Sequence, residues 1–102
     1  MIRHIVFFSA ADPADVERIE DGLKMLGRIP HAQHFEVGRN LQSDQIAGAK
    51  IDVVVYAEFA DEAALTAYKA HPIYADCISL VRPMRELRIA ADFKAHPVAS
   101  RG

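Results

Sequence analysis

The segment Tyr68-Lys69-Ala70-His71-Pro72-Ile73-Tyr74 gathers two phenols and an imidazole around a proline that must interrupt a helix. A second imidazole, His4, stands in the run Ile2-Arg3-His4-Ile5-Val6-Phe7-Phe8, whose apolar members favour burial. A buried polar ring must find a partner or face a cavity. Where the two segments meet, His4 can move a proton while Tyr68 and Tyr74 hold charge developing on an oxygen. That chemistry calls for no cofactor. The chain carries no glycine-rich phosphate loop, no nucleophile elbow and no Cys-x-x-Cys.

Each ring also has a structural reading. His4 can be a core histidine with both nitrogens bonded to protein, and Tyr68 a core ring whose hydroxyl reaches solvent. Tyr74 can pack over a helix end. His71 precedes Pro72 near a helix C-terminus, where an imidazole satisfies the last carbonyls and the dipole favours a cation. His31 and His34 have a spacing that puts two ligands on one helical face, but Pro30 and a strand-like pattern keep them off a helix, so no metal site is expected. Cys77 lies on an apolar stripe and reads as a small core residue. Arg39 and Asp92 read as structural charges, and Glu86 and Arg88 as partners across strands or subunits.

Residues 2–9 read as a strand, with Ile2, Val6 and Phe8 on one face, shared by His4, and Ile5 and Phe7 on the other. Asp12-Pro13-Ala14-Asp15 starts a helix carrying Val16, Ile19, Leu23 and Leu26 at helical spacing, which Gly27 and Pro30 stop. Residues 33–39 alternate as a second strand, where Gly38 suggests a bulge or a close backbone approach. Residues 40–50 are a polar loop, and 51–59 the strongest strand signal. Asp61-Glu62 opens a helix with Leu65 and Tyr68, broken or kinked at Pro72, with helical spacing resuming over 73–81. Residues 85–93 close as a strand, with Leu87, Ile89, Ala91 and Phe93 on one face and Glu86, Arg88 and Asp92 on the other.

The order β-α-β-β-α-β, with right-handed crossovers, gives an α+β ferredoxin-like fold: a four-stranded antiparallel sheet with its helices on one face. The apolar residues of the other face need a cover, and a second copy of the chain is the simplest one. With 102 residues the chain suits one domain, expected over 1–94, followed by a loose tail over 95–102. The 51% hydrophobic content also points to surface hidden in a subunit interface. A net charge of −2 with no basic stripe excludes a nucleic-acid partner. No apolar run reaches the roughly 18 residues of a membrane span. One cysteine and no signal-peptide layout after Met1 suit a cytoplasmic protein.

Met1-Ile2-Arg3-His4-Ile5-Val6-Phe7-Phe8, Phe35-Glu36-Val37-Gly38-Arg39-Asn40, Val54-Val55-Tyr56-Ala57-Glu58-Phe59, Tyr68-Lys69-Ala70-His71-Pro72 and Ala91-Asp92-Phe93 together resemble the stress-responsive A/B barrel domain (Dabb) family, in order and spacing, over about residues 1–94. The resemblance implies a dimeric α+β barrel. Most of the family has no assigned reaction. A few plant members resemble cyclases that close a linear polyketide in a pocket between sheet and helices. Their first-strand histidine matches His4 and their helix tyrosine matches Tyr68. Their catalytic base is the second histidine of His-Pro-x-His, and here that position is Tyr74, while His71 matches the first. A phenol of pKa near ~10 thus replaces an imidazole near ~6.5. Some members resemble proteins that hold magnesium through backbone oxygens near the second strand.

Three functions follow. The first is a homodimer that binds a small apolar or aromatic molecule in a pocket lined by Val6, Phe8, Leu23, Val54, Tyr56, Leu65, Tyr68 and His71. The second is a cofactor-free cyclase, isomerase or monooxygenase-like enzyme using His4 with Tyr68 and Tyr74. The third is a structural, stress-associated oligomer without chemistry.

Overall fold

A computed structural model of the chain describes residues 1–44 and 50–96. The strands are β1 (Ile2–Ala10), β2 (His34–Arg39), β3 (Val53–Phe59) and β4 (Arg85–Lys94); the helices are α1 (Val16–Lys24), α2 (Glu62–Ala70) and α3 (Pro72–Val81). They form one four-stranded antiparallel sheet with the helices on one face, as the sequence predicts, and the strand order is β2-β3-β1-β4. The expected tail falls largely on residues 97–102, outside the described residues, as do 45–49 of the expected loop. Before them, the Ala95 N–H donates to the Met1 carbonyl at 2.9 Å and extends the β1–β4 edge.

The local signals act as their chemistry dictates. Asp12 caps a short 3-10 turn over Pro13–Asp15 by accepting from the Ala14 N–H at 3.0 Å, and α1 follows. Asp61 caps α2 through the Ala64 N–H at 2.8 Å. Pro72 does more than kink a helix. It ends α2 and starts α3, where a proline fits because its missing N–H would be unpaired anyway. His71 lies between the two, extended, with Nδ1 accepting from the Ile73 N–H at 3.1 Å. The ring therefore caps the start of α3 as an acceptor, and the expected donor role toward the end of α2 is corrected.

Gly38 also departs from expectation. The β2–β3 register runs through it without a break, and a Cβ there would meet nothing within 4 Å. The irregularity lies instead between β1 and β4. Phe8 pairs with Arg88 and Ala10 with Arg85, so three steps on β4 match two on β1. This is a bulge on β4, and the Ser9 hydroxyl accepts the Leu87 N–H at 3.0 Å beside it.

The core lies between sheet and helices. Val53, Val55, Ala57 and Phe59 of β3 and Ile2, Val6 and Phe8 of β1 pack against Ile19 and Leu23 of α1, Leu65 and Tyr68 of α2, and Cys77 and Val81 of α3. Full burial of each large aliphatic or aromatic side chain stabilises by about 1.5–3 kcal/mol. The other sheet face keeps Phe7 38%, Ile89 49% and Phe93 49% exposed.

Candidate functional site

The central strand β1 carries His4 into the helix-covered layer, where the residue is 1% exposed. Register places Asp92 of β4 directly beside it. The His4 Nδ1 and Asp92 Oδ1 share a short hydrogen bond, and the Lys69 ammonium lies 3.8 Å from the other carboxylate oxygen. Burial lowers the His4 pKa below its ordinary value; Asp92 opposes this, while the charges of Lys69 and Arg88 reinforce it. The ring is therefore neutral near pH 7, with Nδ1–H donating to Asp92. Nε2 has no partner among the described residues, so it is the nitrogen left to accept a proton.

Beside it, α2 supplies Tyr68, which is 0% exposed. Its ring packs edge-on against His4, Phe59 and Tyr74, with centroids 6.0, 4.9 and 5.4 Å away. Its hydroxyl is buried and has no hydrogen-bond partner among the described residues. Burial pushes the phenol pKa well above 10, so the group stays protonated and can only serve neutral pH chemistry as a donor or neutral acceptor. Tyr74, at the start of α3, accepts a hydrogen bond from an Arg88 Nη at 3.2 Å. A phenol engaged by a guanidinium replaces the imidazole that the resemblance leads one to expect there.

These three rings border a cavity of about 250 Å³. Val6, Phe8, Val55, Leu23 and Leu26 form apolar walls, and α3 closes one side with Cys77, Ile78 and Val81. The Cys77 thiol donates weakly to the Gly22 carbonyl at 3.6 Å, and burial pushes its pKa up to about 11, so it is no nucleophile at neutral pH. Cavities of about 150 Å³ hold benzene, so 250 Å³ is room for a substituted ring or a small fused pair.

Of the residues expected at a pocket, the structure brings His4, Val6, Phe8, Leu23, Tyr68 and Tyr74 together at this cavity. Val54 and Tyr56 are not there. Val55 pairs with Val6 and faces the helices, so strict alternation turns Val54 and Tyr56 to the open face. Tyr56 instead donates to Glu58 at 2.6 Å and accepts from Arg3 at 2.7 Å. Leu65, one turn before Tyr68, borders a separate shallow recess with Ile2, Lys69 and Asp92. His71 is spent on capping. His34 bonds to Glu36 at 2.6 Å on exposed β2, and His31 packs against His71. Sequence reading missed Asp92, and the signal lay in the alternation of β4, which puts Arg88 and Asp92 on one face; only register shows which residues they meet. It also missed Arg82 and Arg85, which border the cavity with Arg88.

The model of the Stress responsive A/B Barrel Domain, Dabb, matches residues 2–95. The chain belongs to this family. A Dabb family protein with a ferredoxin-like fold from Mesorhizobium loti is 27% identical, with a TM-score of 0.76 over 94% of this chain and 97% of that one. A dimeric ferredoxin-like protein of unknown function from Thermobifida fusca is 30% identical, with a TM-score of 0.75 over 92% and 90%. An Arabidopsis thaliana protein, At3g17210, superposes with a TM-score of 0.78 over 98% and 100% at 18% identity, which shows a shared fold. No functionally curated protein matches this Dabb chain. No helix among the described residues is long and apolar enough to cross a membrane.

Proposed function

We propose that this Dabb protein is a homodimer in which each protomer binds a small apolar or aromatic molecule in the cavity beside His4, Tyr68 and Tyr74. The observation that carries this reading is the pairing of an apolar cavity with a buried polar group that has no hydrogen-bond partner among the described residues, the Tyr68 hydroxyl, next to the buried His4 ring. Unpaired buried donors and acceptors are costly, and a ligand offering the complementary groups offsets that cost. The dimer rests on the exposed Phe7, Ile89 and Phe93 of the open sheet face and on the dimeric state of the Thermobifida relative. The test is a thermal-shift and calorimetric screen with one- and two-ring phenols, ketones and acids. A bound ligand raises the melting point by mass action. No shift with any of them would remove the binding reading. For the dimer, Phe7→Asp should halve the mass seen by sedimentation; an unchanged mass removes that face as the interface.

The His4–Asp92 pair favours a second reading, cofactor-free proton transfer. Asp92 fixes the tautomer that leaves Nε2 basic, and it stabilises the imidazolium once formed. Nε2 would take a proton from carbon next to a carbonyl. The C–H electron pair would move into the new C=C bond, and the carbonyl oxygen would gain the charge that the Tyr68 O–H stabilises. Exchange of α-protons of 1-indanone for deuterium, followed by NMR, measures this step. The wild type should accelerate exchange and His4→Gln should abolish the acceleration; equal rates in both proteins would reject it.

A further inference from the structure

The charge around the cavity is one-sided. Arg82, Arg85 and Arg88 all border it, and no Asp or Glu does among the described residues. Arg82 and Arg88 are exposed and Arg85 is half-buried, while His4 and Tyr68 are fully buried, so the guanidinium groups mark the open end and the rings the deep end. None of the three forms an ion pair among the described residues; Arg88 donates only to the neutral Tyr74 hydroxyl. Three like charges without counter-ions repel one another. This concentration of positive charge occurs in a chain whose net charge is −2.

The β4 bulge creates the arrangement. Arg85 and Arg88 are three residues apart, and regular alternation would put them on opposite sheet faces. The extra residue restores them to one face, paired with Ala10 and Phe8, while Glu86 borders a recess on the other side with Leu87 and Ile89. Helix capping accounts for one of the three at most. Arg82 follows the last turn of α3, where the dipole favours a cation, but Arg85 and Arg88 belong to the strand.

We infer that the cavity selects an anion: a one- or two-ring aromatic molecule bearing a carboxylate, seated with its ring between sheet and helices and its carboxylate on Arg82, Arg85 and Arg88. Guanidinium matches a carboxylate with two parallel N–H···O bonds, and several arginines at one mouth can share its two oxygens. The apolar walls accept the ring, and the deep end leaves a hydroxyl or carbonyl of the ligand facing Tyr68 and His4. This inference rests on the binding reading above and specifies what is bound.

The test is titration calorimetry with matched pairs, 2-naphthoate against 2-naphthamide and benzoate against benzamide, on the wild type and on the Arg82→Gln/Arg85→Gln double variant. These pairs differ in charge and hardly in shape. The acids should bind the wild type at least about tenfold more tightly than the amides, the difference one charge-assisted pair supplies. The preference should shrink as salt rises from 50 to 500 mM, at concentrations on the order of the usual screening range. In the double variant it should collapse, while the urea-unfolding midpoint and the near-UV circular dichroism stay at the wild-type values and thereby show an intact fold. Equal affinity for acid and amide in the wild type, or a preference that survives in the variant, overturns the inference and leaves the binding reading standing. Failure of every acid and amide to bind the wild type overturns both.

Discussion

Replacing Tyr68 by phenylalanine should make the free protein more stable. The ring is fully buried against His4, Phe59 and Tyr74, and phenylalanine keeps those packings. What disappears is a buried hydroxyl with no hydrogen-bond partner among the described residues. Leaving such a group unsatisfied costs about 1–3 kcal/mol. The cavity at its side admits solvent that recovers part of this, so a gain of about 1 kcal/mol is expected, or roughly 4–8 °C in melting temperature for a domain near this size. Urea unfolding gives the energy directly, at one fixed protein concentration so that subunit association does not enter. The same substitution should weaken ligands that carry a carbonyl or hydroxyl and spare those that do not. A buried hydroxyl with a purely structural role gives the opposite result. Loss of about 1 kcal/mol or more on Tyr68→Phe would refute the reasoning, because it would mean that the hydroxyl is satisfied in the free fold.

The remaining expectations concern His4, Asp92 and His71. The folded-state pKa of His4 lies below the unfolded value of 6.5, so the unfolded chain binds the proton first. Stability from this residue is fully present above pH 6.5, falls as pH drops through 6.5, and levels off below the folded-state value; His4→Gln should flatten that part of a urea-midpoint profile, and an unchanged slope would count against the buried neutral ring. Asp92→Asn removes the carboxylate that opposes burial, so the His4 titration followed by NMR should move further down; an upward move would contradict the pairing. His71→Ala deletes the acceptor that caps α3 and should cost about 0.5–2 kcal/mol in urea unfolding while leaving ligand affinity unchanged. A large affinity loss would return His71 to the site.

Elements were legible wherever short-range chemistry decides them. Asp12-Pro13, Asp61-Glu62 and the alternating apolar strands each announce a local conformation, and their order determines the topology. Pairing was not legible. Val54 and Val55 are the same residue type in one strand, and only the Val6–Val55 register assigns one to the cavity and the other to the open face. Asp92 reads as a structural charge in the sequence because nothing within β4 says that a buried imidazole lies across from it. His71 falls outside the cavity because Pro72 starts a separate helix that the ring caps. Leu65, one turn before Tyr68 on α2, borders the neighbouring recess, which only the packing of α2 on the sheet edge decides. Tyr74 was readable as a departure from the family pattern, but its bond to Arg88 was not.

The edge strand β4 determines whether the site exists. A slip of one residue against β1 would set Ala91 or Phe93 beside His4 and send both Asp92 and Arg88 to the open face. The central strands resist such a slip through their buried residues, but β4 buries almost nothing itself. Its register is held instead by the ladder to β1 and by the bulge, where the Ser9 hydroxyl satisfies the Leu87 N–H and the Ala11 N–H reaches the Met84 carbonyl at 2.9 Å. The same feature that pins the register also turns Arg85 toward the cavity. The carboxylate beside His4 at one end of the cavity and two of the three guanidinium groups at the other are therefore placed by one strand, and the bulge in it brings Arg85 to the face of Arg88. On the proton-transfer proposal, a tyrosine at 74, where the resemblance leads one to expect a histidine, leaves His4 to act as the base, with Asp92 bonded to Nδ1 to orient it.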